Sequence, residues 1–432
     1  LKCALAILQG QPPDITALPS NNNNNHDDDD EQQQLEKSII ELLSSSSSSL
    51  SSDGGEHLDQ LNQYSPPMGR PDLRAGIAEY YQRFYNYDVS PDDITVTLGA
   101  TEAFASALRS TCQPGDKVVI IEPFHELYPS QAKIFYLDPV FVPLRPSEST
   151  SSTPSNSQSK QRQWYFDLQE LEQAMIGAKA LLLNSPHNPT GKVFTRQELK
   201  DIVDLCLKHD VYLITDEIYE HILWQNLHDD DDDDARVDGV DGEDGENETV
   251  QHYLIPKEFP EIREKTLVCN SLGKSASATG WRVGWCLHPS HLSHTYRGIH
   301  DQLAVMSPHP MQYATMSYLT LPDSYFTSLS EKYRSRVQRL AKTLKSLGFG
   351  VVDPQGAYYL FVNYKNVPQL SKLTSLEAAM FLLKDVGVAC VPGDNFYGSP
   401  SDDTNNCYLR FAACRSDGDL DKAIQKLEQH LG

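Results

Sequence analysis

Between residues 94 and 285 the chain keeps returning to one pattern: a short, nearly unbroken apolar run, a polar turn, and often a helix-period stretch. The runs at 94–98, 117–121, 180–183, 211–215 and 265–269 are rich in Val, Ile, Leu and Thr. A strand with one wet face alternates apolar and polar residues; these do not, so they read as strands covered on both sides. Helical stretches at 103–111 and 196–209 supply covers. Strands alternating with helices imply an α/β fold, with a mainly parallel sheet and helices on both faces. Beyond residue 305 the order changes. A long helix over 324–347 precedes strand-like runs at 349–352, 357–362, 388–391 and 407–412, with helices at 375–386 and 419–431. That tail reads as a smaller α+β unit. The expected division is an N-terminal arm (1–56), a large domain (57–305) and a small domain (306–432).

Low-complexity tracts interrupt this plan. Asn/Asp/Gln and Ser runs at 21–34 and 44–52 flank a short helical pattern at 35–43, and further insertions lie near 146–163 and 228–250. Such segments carry too little apolar surface to offset the entropy of ordering, and are expected to hang off loops clear of any site. They also explain the charge. Residues 228–250 hold twelve acids against one base, and 21–36 hold six acids and no base, so most of the formal −24 is theirs. No basic stripe accompanies them, which argues against nucleic-acid binding. No apolar run reaches about 18 residues, so no membrane helix is expected. Eight cysteines without C-x-x-C spacing suggest a reducing compartment, the cytoplasm by default. An organelle is compatible if a targeting segment has been removed. His26 among flexible acids offers no fixed geometry, and no metal is expected.

The distinctive polar residues follow the strands directly: Gly99-Ala100-Thr101, His125, Asn188, Asp216 with Tyr219, and Ser271 with Lys274. Open parallel sheets bind ligands at the carboxyl ends of their strands, so these exits should meet in one crevice. The stretch 269–285 adds detail. Ser271 and the permanently charged Arg282 suit a phosphate, and a lysine between them suits an aldehyde, because its amine can form an imine. A lysine in a Ser/Gly turn is by itself often merely solvated. The convergence of five strand exits outweighs that reading.

Asn188-Pro189-Thr190-Gly191, Asp216-Glu217-Ile218-Tyr219, and Ser271-x-x-Lys274 with Gly280-Trp281-Arg282-Val283-Gly284 resemble the fold type I, class I/II aminotransferases that use pyridoxal 5′-phosphate. The likeness is to the branch with kynurenine, glutamine and methionine aminotransferases, and runs from about residue 57 to the C-terminus. It implies that Lys274 forms a Schiff base with the cofactor and then moves the proton at the substrate Cα. Asp216 would pair with the pyridine nitrogen, and Asn188 and Tyr219 would bond the ring oxygen. Ser271, Arg282 and the turn Gly99-Ala100-Thr101 would hold the phosphate. Tyr64 resembles the tyrosine that reaches a neighbouring subunit's phosphate, which implies a homodimer with shared active sites. Arg410 would fork onto the substrate α-carboxylate, and Asn188 would also face substrate. Gly10 would lend its backbone to substrate, although a plain turn glycine explains it equally well. His125 stands where the family commonly has Phe or Tyr stacked on the cofactor ring; an imidazole can stack too, and it adds a titratable group.

The implied activity is transfer of an amino group from an aromatic, sulfur-containing or glutamine-like L-amino acid to a 2-oxo acid. A C–S β-lyase or an aminocyclopropane-carboxylate synthase-like lyase is the alternative, distinguished by release of pyruvate and ammonia without an acceptor. A non-catalytic regulator of the same fold is a third reading, weakened by the presence of Lys274. Tyr128, Met306 and Tyr358 are pocket or core; periodicity does not separate the two.

Overall fold

The computed structural model describes residues 61–147, 163–225, 250–398 and 407–432. Gly10, the rest of the N-terminal arm, and nearly all of the two later insertions lie outside the described residues.

Chain order begins with helix α1 (Pro71–Tyr85), opened by a proline at its first position and closed by Asn86 in the left-handed region (φ 48°). Strand β1 (Ile94–Thr97) feeds helix α2 (Gly99–Thr111), followed by β2 (Lys117–Glu122), α3 (Leu127–Ile134) and β3 (Asp138–Pro143). A two-stranded ribbon, β4 (Arg145–Pro146) with β5 (Trp164–Tyr165), leads to α4 (Leu168–Met175). Next come β6 (Ala178–Asn184), α5 (Arg196–His209), β7 (Tyr212–Asp216), β8 (Thr266–Ser271) and β9 (Gly284–Leu287). Thr195 and Glu198 form a reciprocal capping box at the start of α5, satisfying two donors that a helix start would otherwise leave open.

Seven strands make one sheet in the order β1-β9-β8-β7-β6-β2-β3. From β8 through β3 the pairing is parallel, while β9 runs antiparallel between β8 and β1. The continuous apolar runs are explained by the two covers. Ala180, Leu182, Ile214 and Leu267 pack with Ala103, Phe104, Ala107 and Leu108 of α2 on one face. Their neighbours Leu181, Leu183 and Leu213 pack with Leu171 of α4 and Leu199, Ile202 and Val203 of α5 on the other. Successive strand residues point to opposite faces, so both parities must be apolar. Each such side chain contributes roughly 1.5–3 kcal/mol by burial.

Helices α6 (Ser293–Ala304), α7 (His309–Leu319) and α8 (Asp323–Ser346) lead into a second sheet of order β10-β12-β11, where β10 is Tyr359–Asn363, β11 Val391–Pro392 and β12 Tyr408–Ala412. Its core joins Val337, Leu340 and Leu344 of α8 to Leu360, Val362, Leu409 and Phe411, with Leu420 and Leu427 of the final helix. Helix α9 (Ser375–Phe381) precedes β11, and α10 (Asp417–Leu431) ends the chain.

Local expectations fail where pairing partners decide. The apolar run 349–352 makes no strand; it contributes one bridge, Gly350 to Asn363. Past Pro354 the backbone leaves that partner, and Gln355 and Gly356 donate to the Gly191 carbonyl instead. Conversely, Asp-Pro-Val-Phe-Val-Pro forms β3, hidden by its two prolines. As the sheet's edge, β3 tolerates them, because proline lacks the N–H a central strand would need. No helix among the described residues is long and apolar enough to cross a membrane.

Candidate active site

Register brings the polar residues together. Asn184 sits opposite Asp216, and Asp216 opposite Cys269, so the carboxyl ends of β6, β7 and β8 lie side by side. The Asn184 amide donates to the Asp216 carbonyl (2.9 Å), and its Oδ1 accepts the Asn188 N–H (2.7 Å). One side chain thereby fixes the backbone of two predicted site residues.

Asp216 is buried. Tyr128 on α3 donates its hydroxyl to Oδ2 at 2.6 Å, and the Ile218 N–H reaches Oδ1 at 3.4 Å. Burial pushes the carboxyl up to about 6, against the lowering effect of the Tyr128 bond and the Lys274 charge. It makes no ion pair among the described residues. A carboxylate with two hydrogen-bond donors and no cation in contact is under-compensated for its burial.

Lys274, three residues past Ser271 at the end of β8, lies with Nζ 5.8 Å from the ring centroids of both Tyr219 and Tyr358. Tyr219 is buried, and its hydroxyl is 3.0 Å from that of Tyr359. Arg410 on β12 donates from Nη1 to Asn188 Oδ1 at 2.9 Å, which turns the Asn188 amide nitrogen away from the guanidinium. Its guanidinium carbon lies 4.5 Å from the Tyr359 ring centroid and 4.8 Å from that of Phe396, while its Nε is buried without a partner. His125 follows β2, 5.7 Å from the Tyr128 ring. Burial lowers its pKa, and the Arg410 and Lys274 charges, which face it, lower it further. Five predicted residues (Lys274, Asp216, Tyr219, Asn188 and Arg410) and His125 thus share one neighbourhood.

Arg282 forms a second group with the start of α2. It takes a left-handed backbone (φ 56°), and its Nη2 reaches the Leu98 carbonyl and Thr101 Oγ1, each at 3.4 Å. Gly99 has φ +73°, and a Cβ there would meet Arg282 Nη2 at 2.6 Å. Glycine is therefore what lets the guanidinium lie against the first turn of α2, beside Ala100 and Thr101. Gly99→Ala is expected to displace Arg282 and weaken the binding of a phosphate-bearing ligand about tenfold, on the scale of one charge-assisted bond; equilibrium dialysis checks it. Tyr64 stands apart from both groups, 77% exposed. Its loop is held from behind, where Ser65 N–H meets Met306 Sδ at 3.1 Å.

A family model described as aminotransferase class I and II matches residues 21–427. The chain belongs to the class I and II aminotransferases. A probable kynurenine–oxoglutarate transaminase of Saccharomyces cerevisiae is 30% identical over 386 residues, covering 86% of this chain and 80% of that protein. A probable N-succinyldiaminopimelate aminotransferase of Mycobacterium tuberculosis is 32% identical over 375 residues, covering 85% and 84%. A methionine aminotransferase structure from Escherichia coli superposes with a TM-score of 0.72 at 25% identity, over 91% of this chain and 89% of that one. The protein is a transaminase, moving an amino group between an amino acid and an oxo acid, and its α/β fold is that of the family. Nothing among these relatives favours the lyase alternative.

Residue chemistry alone does not single out four neighbours of these residues. Tyr128 and Tyr358 were open between pocket and core; Tyr128 is the donor to Asp216, and Tyr358 faces Lys274. Tyr359 gave no signal of its own. Asn184 ends a buried strand, and a polar residue there is a cue that it orients something.

Proposed function

We propose that this aminotransferase works with pyridoxal 5′-phosphate as a homodimer, taking amino donors with aromatic, sulfur-containing or glutamine-like side chains. The donor set fits that cofactor: an under-compensated buried Asp216, an Arg282–Gly99–Thr101 cradle with Ser271 opposite Gly284 beside it, and a Lys274 amine whose charge reaches Asp216. When bound, the cofactor supplies an aldehyde that exchanges with amines and a ring that withdraws electrons.

The chain's own residues would then divide the work. Lys274 would hold the cofactor and supply the amine that takes the proton from the substrate Cα and returns one. Asp216 would hold a cationic ring nitrogen, with the Tyr128 hydroxyl keeping its carboxylate aimed. Asn188 and Tyr219 donate to the ring oxygen; Arg410 sets the Asn188 amide with its nitrogen free to do so. His125 stacks as a neutral imidazole, since burial and two facing cations lower its pKa. Arg410 receives the substrate carboxylate, for which its unpartnered Nε is already desolvated. The exposed Tyr64 reaches the partner's phosphate, and Gly10, outside the described residues, remains the candidate for a backbone contact to substrate. On the proposed division, Lys274 would belong to the large domain (57–305) and Arg410 to the small one (306–432). Free cysteines, four of them buried among the described residues, support a reducing compartment such as the cytoplasm.

The observation that carries this reading is that Lys274 and Arg410 meet at His125 while Tyr128, beside His125, bonds Asp216, which the Lys274 charge also reaches. A panel of amino donors (kynurenine, phenylalanine, methionine, glutamine) against 2-oxo acids tests it. Ping-pong kinetics with at least one donor of these classes is expected. Activity confined to pyruvate and ammonia release without an acceptor would refute it. Arg410→Lys should lower kcat/KM about 10- to 100-fold for every donor alike, because the lysine keeps the charge but loses the fork. A loss limited to one donor would place Arg410 in the side-chain pocket instead.

A further inference from the structure

The turn that opens α2 and the loop that carries Tyr64 are joined through one buried histidine. His300 on α6 has no exposed surface. Its Nδ1 lies 2.9 Å from Glu102 Oε2, and its Nε2 lies 2.7 Å from the Pro67 carbonyl oxygen. A carbonyl only accepts, so Nε2 carries a proton. Glu102 Oε2 also accepts the Leu98 N–H at 3.1 Å, and Oε1 accepts the Ser106 hydroxyl. With donors on both oxygens Glu102 acts as a carboxylate, so Nδ1 donates as well. An imidazole that donates from both nitrogens is an imidazolium.

We propose that His300 is a positioning residue: a buried imidazolium that locks the Tyr64 loop onto the first turn of α2, setting Tyr64 relative to the phosphate-holding residues Ala100 and Thr101. This rests on the reading that those residues and Tyr64 serve cofactor phosphates. Most of the loop's other ties join neutral groups. Gln312 donates to Ser65 Oγ (2.9 Å), and the Val96 N–H to the Met68 carbonyl (3.0 Å). His309 bonds the Gln63 carbonyl through Nδ1 and accepts from Arg70 Nη1 at Nε2, so the charge in that tie is the loop's own Arg70.

Burial disfavours charge on His300. The Glu102 bond and charge, the Pro67 carbonyl and the Asp301 charge on its own helix outweigh that, and its pKa lies above the ordinary histidine value. Glu102 from α2 and Asp301 from α6 are the charged groups facing it; the loop contributes the carbonyl. A raised folded pKa means the tie is complete below the ordinary histidine pKa and is lost as pH rises through the folded value. The Pro67 bond is the one surrendered, because the carboxylate is the stronger acceptor.

The test is the rate of cofactor loss from holoenzyme, wild type against His300→Gln, across about pH 6 to 9.5, the range that brackets histidine titration. A glutamine amide reaches one of the two acceptors and holds no charge. The variant should lose cofactor about tenfold faster than wild type at low pH, the scale of one charge-assisted bond. The ratio should fall towards one at high pH, where wild type has lost its own proton. Using the ratio removes the pH dependence that cofactor attachment itself brings. Glu102→Gln should move the wild-type rise in rate down by about a pH unit, by removing the charge that sustains the imidazolium. A ratio near one at low pH, or a ratio indifferent to pH, overturns the clamp. Should His300→Gln fail to fold, the Glu102→Gln shift decides, and its absence overturns the clamp equally. Tyr64→Phe separates this from the underlying reading: cofactor loss at wild-type rate in that variant refutes the role given to Tyr64, whatever His300→Gln does.

Discussion

Lys274→Ala is expected to lower turnover ~10⁴-fold, the upper end of what a positioned acid–base group contributes, while leaving the protein folded. The reason for both halves is local. The Lys274 amine makes no hydrogen bond or ion pair among the described residues and lies over the rings of Tyr219 and Tyr358, so removing it leaves no buried hydrogen-bond partner unsatisfied. Its chemistry has no substitute nearby. His125, the neighbouring titratable group, is held neutral but sits on α3's side of the site, hydrogen-bonded through Nδ1 to the Leu127 N–H at 3.3 Å. The absorbance band of a lysine-bound cofactor, roughly 400–430 nm, should vanish in the variant, whereas phosphate-dependent binding persists. Turnover near the wild-type rate would sink the assignment of Lys274.

Asp216→Asn should cost about 3–5 kcal/mol in the reaction, the range for breaking a buried charge pair, or ~10²–10⁴-fold in kcat. The side chain keeps its size and can still accept from Tyr128, so the effect isolates the charge. Its pH signature is distinctive. In the cofactor-free protein burial holds the Asp216 carboxyl at about 6. Below that pH the group is neutral, and pairing with a cationic ring must first expel its proton. Cofactor affinity should therefore fall as pH drops below about 6, by up to tenfold per unit, and stay flat over that range in Asp216→Asn. The same raised pKa means ionising Asp216 costs the cofactor-free fold stability as pH rises from about 4 to about 6, a cost the substitution removes. Affinity rising towards low pH would contradict the assignment.

Much of this was legible before any coordinates. A parallel sheet covered twice needs apolar residues at both strand parities, and only a local reading is required to see them at 180–183 and 117–121. Ligand residues follow strands because side chains at strand ends alone can leave the core, so Asp216, Asn188, His125 and Lys274 stood out in the chain itself. The prolines of β3 concealed an edge strand, since whether a strand is an edge depends on its neighbours.

What the sequence determined by itself was the class of fold and the family, and it marked the groups proposed to carry the chemistry, because these rest on periodicity and on contiguous motifs. Tertiary structure alone decided which groups serve those residues. Tyr128 and Asp216 are 88 positions apart, Arg410 and Asn188 222, His300 and Pro67 233. Hydrogen bonds across such separations follow from strand order and helix packing, and nothing in the local composition of either partner records the other.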